Sequence, residues 1–287
     1  MKLLSATKRQ QRRSRIQPLQ IVFYLVASIL ALYALGPLLV LIFNSLKSDS
    51  EIGSNPLGPP IHPLLSNFAD AWNQGDLGTT IRNSMIITLG TVVGIWIIAG
   101  LAAYAMTHLD LPGKNGVFIY LITTLSIPFQ LFLVPLYFLW SNLNLTDNLF
   151  GLIIIYWAVN SPFAIVLLRS YLLTLPQEYS DAARVDGANE LQVLTRVVAP
   201  LSLPGILTVG LIVGFAAWNE FIYAVTFIQD DSLLPVSTSF LAFQQSFHRF
   251  WGLTDAAGLI IILPVIVIFL LLQRRFVAGL SSGGLRG

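Results

Sequence analysis

The sequence predicts an all-α integral membrane protein with six transmembrane helices. Of its 287 residues, 55% are hydrophobic and only 10% are charged, whereas a soluble domain carries about a quarter charged residues. Several stretches without Asp, Glu, Lys or Arg are long enough for the roughly 20 helical residues that cross the hydrocarbon core. The basic residues also fall mainly on one side of these stretches, as they do in membrane proteins with a fixed orientation.

The predicted helices follow the uncharged stretches in order. One further uncharged stretch, 52–69, contains the segment NPLGPP. Pro and Gly at that density leave backbone hydrogen bonds unmade, which lipid does not tolerate, so we predict an external loop there. The six expected spans cover residues 20–43, 84–107, 116–140, 149–170, 203–226 and 256–273.

The basic residues predict the orientation. If both termini face the cytoplasm, 13 of the 16 basic residues lie inside, and only Lys47, Arg82 and Arg249 lie outside. The same orientation puts the polar segment 171–202 in the cytoplasm. The chain then divides into a basic N-terminal arm (1–19), a six-span domain (20–273) and a cytoplasmic C-terminal tail (274–287).

The first half of the polar segment 171–202 reads as a short helix. Pro176 suits a first helical turn, where its missing N–H costs nothing. Glu178 and Asp181 put negative charge near the positive end of the helix dipole. Gly187 can adopt the left-handed conformation that ends a helix.

The second half of the polar segment predicts another short helix. Asn189 is placed to cap it, with Gln192 three residues later in the capping-box position. Pro200 is expected to end this helix, and Pro204 to open the fifth span. Together the two halves predict a helix-turn-helix between the fourth and fifth spans.

Landmarks in this segment keep a recognisable spacing. Asp181-Ala182-Ala183 is followed after three residues by Gly187, and after nine more by Val197-Val198-Ala199-Pro200. This resembles the EAA-x3-G-x9-I-x-L-P motif of permease subunits in ATP-binding-cassette importers, with Asp for Glu, Val for Ile and Ala for Leu. The resemblance implies that 171–202, hereafter the coupling segment, contacts a separate ATPase. The residues it implicates are Glu178, Asp181, Ala182, Ala183, Asp186, Gly187 and Pro200.

Other segments narrow the resemblance to carbohydrate-type permeases. Trp218-Asn219-Glu220-Phe221 resembles their WNEF-type segment, and residues 279–287 resemble the tail of the shorter, maltose-type second permease. Asn83-Ser84 and Asp186-Gly187-Ala188 fit the same subgroup. A polyol, a phosphorylated polyol or an amino acid stays open as the solute, because the coupling motif is shared among such importers.

The resemblance also implies partners and a location. Such a permease is a multi-pass protein of the bacterial cytoplasmic (inner) membrane and pairs with a second permease. It works with an ATPase dimer and an extracytoplasmic sugar-binding protein. ATP and Mg²⁺ would bind to the ATPase, so no cofactor is expected on this chain.

Four polar residues in the spans are candidates for the substrate path. Glu220 is the only carboxylate predicted within a span, and such groups point to function by default. With Asn219 it either lines the path, holds helices together, or lies where the helix ends early. Asn160 and Gln130 lie beside prolines that can kink a helix and free carbonyl groups. We favour a purely structural kink at these two positions over a contact with the solute.

Several classes of activity are not supported by the sequence. It contains no G-x4-G-K-[ST] loop for ATP, and the absence of Cys excludes thiolate metal sites. The three histidines are far apart and fall on both sides of the membrane, so no metal or triad site is expected. No basic, aromatic surface suggests nucleic acid. A membrane enzyme using the acids of 178–190 is the rival class, but the coupling motif already accounts for them.

Overall fold

A computed structural model describes residues 18–247 and 250–284, with side chains placed in 20–247 and 250–273. Every regular element in these residues is a helix. Most of the basic arm, Arg249, and the side chains of Arg274 and Arg275 lie outside what is described. The α-helices are α1 (Pro18–Ser45), α2 (Asp49–Ser54), α3 (Ser66–Gln74), α4 (Leu77–His108), α5 (Lys114–Leu125), α6 (Leu133–Asn142), α7 (Leu149–Leu172), α8 (Glu178–Val185), α9 (Glu190–Val193), α10 (Ala199–Leu201), α11 (Leu203–Asn219), α12 (Ile222–Phe227), α13 (Val236–Ser246) and α14 (Trp251–Gly284).

Four helices of the described residues, α1, α4, α7 and α14, are long and apolar enough to cross a membrane. Two bent pairs raise the number to six if each pair is one span. One pair joins α5 to residues 129–142 at 90°, and the other joins 190–201 to α11 at 78°. The six predicted stretches therefore all correspond to helical segments, but two of them are not single continuous helices.

The third predicted span, 116–140, is broken rather than continuous. α5 ends at Leu125, and the chain resumes at Phe129 in a short 3₁₀ turn that leads into α6. Pro128 lies in the gap with an extended backbone (φ −62°, ψ 118°), and its ring removes the donor that would continue the helix. The Tyr223 hydroxyl of α12 donates to the Phe129 carbonyl at 3.0 Å, which ties the bend to α12.

Two helix ends also differ from the prediction. The fifth span, expected to reach 226, stops at Asn219 and resumes as α12 at Ile222. The sixth helix, expected to stop at 273, continues to Gly284. Most of the predicted C-terminal tail is thus helical backbone in line with α14, and only its last three residues lie outside the description.

Loops predicted on the outer side meet at one end of the helices. Asp147 accepts hydrogen bonds from the backbone N–H groups of Gln229 (2.5 Å) and Asp230 (2.9 Å). Asn83 donates to the carbonyl groups of Ser232 (2.9 Å) and Leu234 (3.2 Å). These contacts join three segments far apart in sequence, and all three belong to the side that the topology assigns to the outside.

α4 lies between α7 and α11 and packs closely on both. The Trp157 indole of α7 donates to the Gly90 carbonyl of α4 at 3.0 Å, and its ring covers Gly94. On the other side of α4, the Trp96 indole donates to the Ile206 carbonyl of α11 at 2.9 Å. Glycines allow the close approach, as is common between membrane helices.

We expect Gly94→Ala to destabilise the protein. A Cβ at Gly94 would lie 2.1 Å from the Trp157 ring, so the indole must leave its hydrogen bond to Gly90. Overpacking of this kind costs about 1–3 kcal/mol. Thermal unfolding in detergent should show a lower Tm. Gly100→Ala is the matched control, because Gly100 lies in the same helix with nothing within 4 Å of its added Cβ. Equal Tm values for both variants would contradict the packing argument.

The first and last long helices pack against each other at the end that the sequence predicts to lie outside. The Asp49 carboxylate, just beyond α1, accepts the backbone N–H of Gly252 at 3.1 Å. Lys47 is fully buried, and its ammonium donates to the Asn44 side chain (3.1 Å) and the Asn55 carbonyl (2.7 Å). A Cβ on Gly252 would lie 2.4 Å from the Lys47 carbonyl oxygen, so the two chain segments are in direct contact.

Long stretches of α1, α5 and α6 expose apolar side chains. Tyr33 of α1 is 84% exposed, and Leu32, Ile119, Val134 and Phe138 are also well exposed. A soluble protein rarely leaves contiguous apolar patches of this extent. Lipid or a second membrane subunit is the environment that such a surface requires.

Candidate functional site

The first half of the coupling segment folds into α8. Its first helical residue is Glu178 and its N-cap is Gln177, so Pro176 precedes the helix rather than occupying its first turn. Gly187 has φ +87°, and the left-handed ending predicted for it is confirmed. Its N–H donates to the Arg184 carbonyl at 3.0 Å, which closes the turn.

The second half begins with the predicted cap. The Asn189 side chain accepts the Gln192 N–H at 2.9 Å, and the Gln192 side chain accepts the Asn189 N–H at 2.9 Å. This capping box starts α9 and is confirmed. The helix then widens into a π-helical turn over 194–198, a feature often found at functional sites.

Pro200 does not end the second helix, contrary to the prediction. It lies at the start of α10, where its missing N–H is tolerated, and the turn comes at Ser202. Pro204, as predicted, lies in the first turn of α11. The bend of 78° between 190–201 and α11 turns the chain from the coupling segment into the fifth span.

The motif residues of α8 are divided between an outer and an inner face. Ala183 packs against the buried cluster that contains Leu168, Leu172 and Val193. The other face is exposed to solvent, and Val185 is 87% exposed on it. Of the implicated residues, all except Ala183 are exposed: Glu178, Asp181, Ala182, Asp186, Gly187 and Pro200.

Arg184 binds both halves of the coupling segment together. Its Nη1 lies 2.8 Å from Asp181 Oδ1, and its Nε donates to Glu190 Oε1 at 2.9 Å. Its Nη2 donates to Glu190 Oε2 at 3.2 Å and to the His108 carbonyl at 3.3 Å. The guanidinium fork thus spans α8, the start of α9 and the end of α4, a use of several donors that Lys could not reproduce.

Tyr104 of α4 completes this network. Its hydroxyl donates to Glu190 Oε2, and its ring stacks on His108 with centroids 4.8 Å apart. The Arg184 guanidinium, followed by the Tyr104 hydroxyl, lowers the pKa of Glu190 below its ordinary value. These contacts therefore favour the ionised form of Glu190. Sequence spacing could not reveal this contact, because Glu190 lies 86 residues from Tyr104.

Glu220 lies in the break between α11 and α12. Its carboxylate accepts the N–H groups of Tyr223 (2.9 Å) and Ala224 (3.0 Å), as well as the hydroxyl of Tyr156 in α7 (2.7 Å). Its carbonyl accepts the Ser237 hydroxyl at 2.6 Å. The carboxylate therefore caps α12 and ties it to α7. Of the three alternatives given for Glu220, this geometry corresponds to a fifth span whose helix ends early, at Asn219.

The other candidate path residues are less connected. Asn160 donates to the Tyr156 carbonyl of its own helix at 2.8 Å, and Asn219 donates to the Phe215 carbonyl at 2.8 Å. Gln130 is exposed on the 3₁₀ turn after Pro128. Asn160 and Glu220 thus both contact Tyr156, through its carbonyl and its hydroxyl respectively, while Asn219 and Gln130 lie apart from that contact.

A cavity of about 620 Å³ lies inside the bend of the third span. Its wall is largely apolar and aromatic. Because Glu220 binds the Tyr223 N–H, the cap of α12 also holds one side chain of this wall. The residues that define it include Tyr120, Phe129, Trp140, Pro162 and Tyr223.

Among the residues that the structure describes, no three or more His, Cys, Asp or Glu side chains are grouped so that they could hold a metal ion. The two polar arrangements described above differ in character. The Arg184 network joins the coupling segment to the end of α4. The Glu220 cap joins helix to helix where the fifth span is interrupted.

Comparison with known proteins identifies what the chain resembles. The family described as "Binding-protein-dependent transport system inner membrane component" matches residues 96–282. The probable ABC transporter permease protein YurM of Bacillus subtilis is 34% identical over 251 residues, covering 88% of this chain and 83% of YurM. The melibiose/raffinose/stachyose import permease protein MelC of the same organism is 31% identical over 277 residues, covering 96% of this chain and all of MelC.

A solved structure has the same fold. It is a chain from the crystal structure of a bacterial ABC transporter involved in the import of the acidic polysaccharide alginate. The TM-score is 0.77 with 24% sequence identity, and the match covers 94% of this chain and 100% of that chain. At this identity the likeness concerns the fold alone.

Proposed function

Because the chain belongs to the family of binding-protein-dependent transport system inner membrane components, we propose that it forms half of the translocation pathway of an ATP-driven sugar importer. It is a transport permease subunit and not an enzyme. The observation that carries the proposal is the coupling segment, whose motif forms two short helices, the second begun by a capping box, with an exposed acidic face. ATP hydrolysis then takes place on a separate chain.

The proposed topology has six spans with both termini in the cytoplasm. The four long helices and the two bent pairs supply six crossings. The contacts of Asp147 and Asn83 with 229–234 support a shared outer side. The hydrogen bonds from Tyr104 to Glu190 and from Arg184 to the His108 carbonyl support a shared inner side.

The exposed face of α8 is the proposed docking surface for the ATPase. Small Ala182 and protruding Val185 allow another surface to approach the helix, and the flanking acids offer it charge. ATP binding would move α8 and switch the cavity between inward-facing and outward-facing states. Coupling of this kind requires that nucleotide and solute each favour one of two global states. The flanking acids of this surface are Glu178, Asp181 and Asp186. Gly187 and Pro200 are proposed to set the backbone path of the coupling segment.

The proposed substrate is a sugar delivered by an extracytoplasmic binding protein. MelC supports this class, because its name records melibiose, raffinose and stachyose. Glu220 and Asn160 are proposed to shape the path through Tyr156, with Asn219 and Gln130 nearer its surface. A polyol, a phosphorylated polyol or an amino acid is the alternative solute for the same machinery.

The deciding experiment is reconstitution with the candidate second permease, ATPase and binding protein in lipid nanodiscs. ATPase activity would be measured with melibiose, raffinose and stachyose, and with glycerol, glycerol phosphate and an amino acid mixture. Stimulation by one sugar through the binding protein is the expected result. Stimulation only by glycerol, glycerol phosphate or an amino acid would show that the solute is not a sugar. A chain that purifies without any ATPase would refute the proposal.

We expect Asp181→Lys to weaken ATPase stimulation. The carboxylate is 65% exposed and pairs with Arg184 at 2.8 Å, so a lysine there would face a like charge and reverse the sign of the docking surface. Stimulated hydrolysis should fall about fivefold or more, the low end of allosteric coupling. Asp110→Lys is the matched control, since Asp110 is an exposed acid paired with Lys114 outside the segment. Equal losses in both variants would argue against a specific surface.

A further inference from the structure

We propose that Tyr104, Arg184 and Glu190 form a positioning link that carries movement of the coupling segment into the second span, α4. The inference rests on the proposed function and adds the route by which movement at α8 reaches the membrane. Its basis is a chain of hydrogen bonds from Asp181 through Arg184 to Glu190, and from Glu190 to Tyr104. A second bond, from Arg184 to the His108 carbonyl, ends on the same helix.

The covalent connections of the coupling segment transmit movement poorly. Towards α7 the chain is non-helical over 173–177. Towards α11 it passes through the π-helical turn 194–198 and the 78° bend at Ser202. Joints of these kinds absorb displacement, whereas regular helices and charge-assisted hydrogen bonds resist it. The link to α4 avoids both joints.

α4 is suited to receive such movement because it is one unbroken helix, Leu77–His108. It packs on α7 through Trp157 and on α11 through Trp96. At its outer end the Ser84 hydroxyl accepts the Val236 N–H at 2.8 Å. A displacement of the inner end at Tyr104 therefore reaches both neighbouring spans and the outer loop before α13.

Distance measurements in the full-length chain alone test the link. The chain contains no Cys, so cysteines introduced at the exposed residues Leu111 and Leu191 can carry unique spin labels on the inner loop and on α9. In lipid nanodiscs we expect one narrow distance distribution for the parent. Tyr104→Phe or Glu190→Ala should broaden it. Unchanged widths in both variants would overturn the proposal.

The assembled complex tests transmission. With Mg²⁺ and AMP-PNP the parent distance should stay constant, because the link moves as a unit. In either variant a nucleotide-dependent shift should appear, and the double variant should shift no further than one single variant. Additive shifts, or none, would refute the link. Tyr33→Phe, on the exposed face of α1, is the control and should behave as the parent. If the permease binds no ATPase, the proposed function is refuted. The distance measurements on the chain alone still test the link.

Discussion

Gly187→Pro should abolish binding-protein-stimulated ATP hydrolysis while leaving the permease folded in the membrane. Gly187 has φ +87°, and proline is fixed near −65°, so the turn between α8 and α9 cannot form as observed. The substitution also removes the N–H that donates to the Arg184 carbonyl. We expect a loss on the order of tenfold or more, within the range of allosteric coupling energies. The measurements are stimulated ATPase activity and the yield of assembled complex.

Gly113 provides a matched control for this variant. It too has a positive φ, +81°, and neither glycine has any atom within 4 Å of an added Cβ. The two substitutions therefore impose a similar backbone strain, but only Gly187 lies in the coupling segment. If Gly113→Pro and Gly187→Pro lose stimulation equally, the loss reflects strain in general and the role proposed for the turn is wrong.

Glu220→Ala should lower stability and complex assembly, and reduce transport only as a consequence. The alanine would leave the Tyr223 and Ala224 N–H groups and the Tyr156 hydroxyl without their acceptor. Hydrogen bonds to a charged group contribute about 1.5–3 kcal/mol each, and buried donors left unpaired are costly. We expect a loss of at least about 2 kcal/mol. Thermal unfolding and size-exclusion chromatography of the co-expressed complex measure it.

Two further variants separate packing from substrate contact. Tyr156→Phe removes one of the three donors and should lower the Tm by a smaller amount than Glu220→Ala. Thr226→Ala is the control, because its exposed hydroxyl bonds only the Ile222 carbonyl of its own helix. If Glu220→Ala assembles and unfolds like the parent but transports poorly, the carboxylate contacts the solute directly, and its assignment as a helix cap is incomplete.

The local features of the coupling segment were predictable from sequence because short-range chemistry determines them. Asn189 and Gln192 are three residues apart, which is the spacing that a capping box requires. Gly187 is the residue type that a left-handed ending prefers. Pro204 could be placed at the start of α11 for the same kind of reason. Pro176 and Pro200 were misplaced by one or two residues, since a proline tolerates several positions around a helix start.

The sequence raised a kink near Gln130 and an early end near Glu220 as alternatives, but it predicted neither as a break between separate helices. Residues 115–146 contain no Asp, Glu, Lys or Arg, so the span 116–140 was predicted as one helix. The structure bends there by 90° beside Pro128, and the Tyr223 hydroxyl of α12 donates to the Phe129 carbonyl. The link from Tyr104 to Glu190 is hidden for the same reason. Both features arise from contacts between residues more than 80 positions apart.

The pairing of α1 with α14 has a consequence for how the protein is made. α1 packs mainly against the last helix. The Asp49 carboxylate accepts the N–H of Gly252, a residue that is synthesised much later. About 200 residues separate them, so at 5–20 residues per second the first helix stays in the bilayer for roughly 10–40 s before its neighbour is synthesised. Ribosome-arrested chains that stop before Trp251 should therefore leave Lys47 accessible to amine-reactive reagents, and completion of the last helix should protect it.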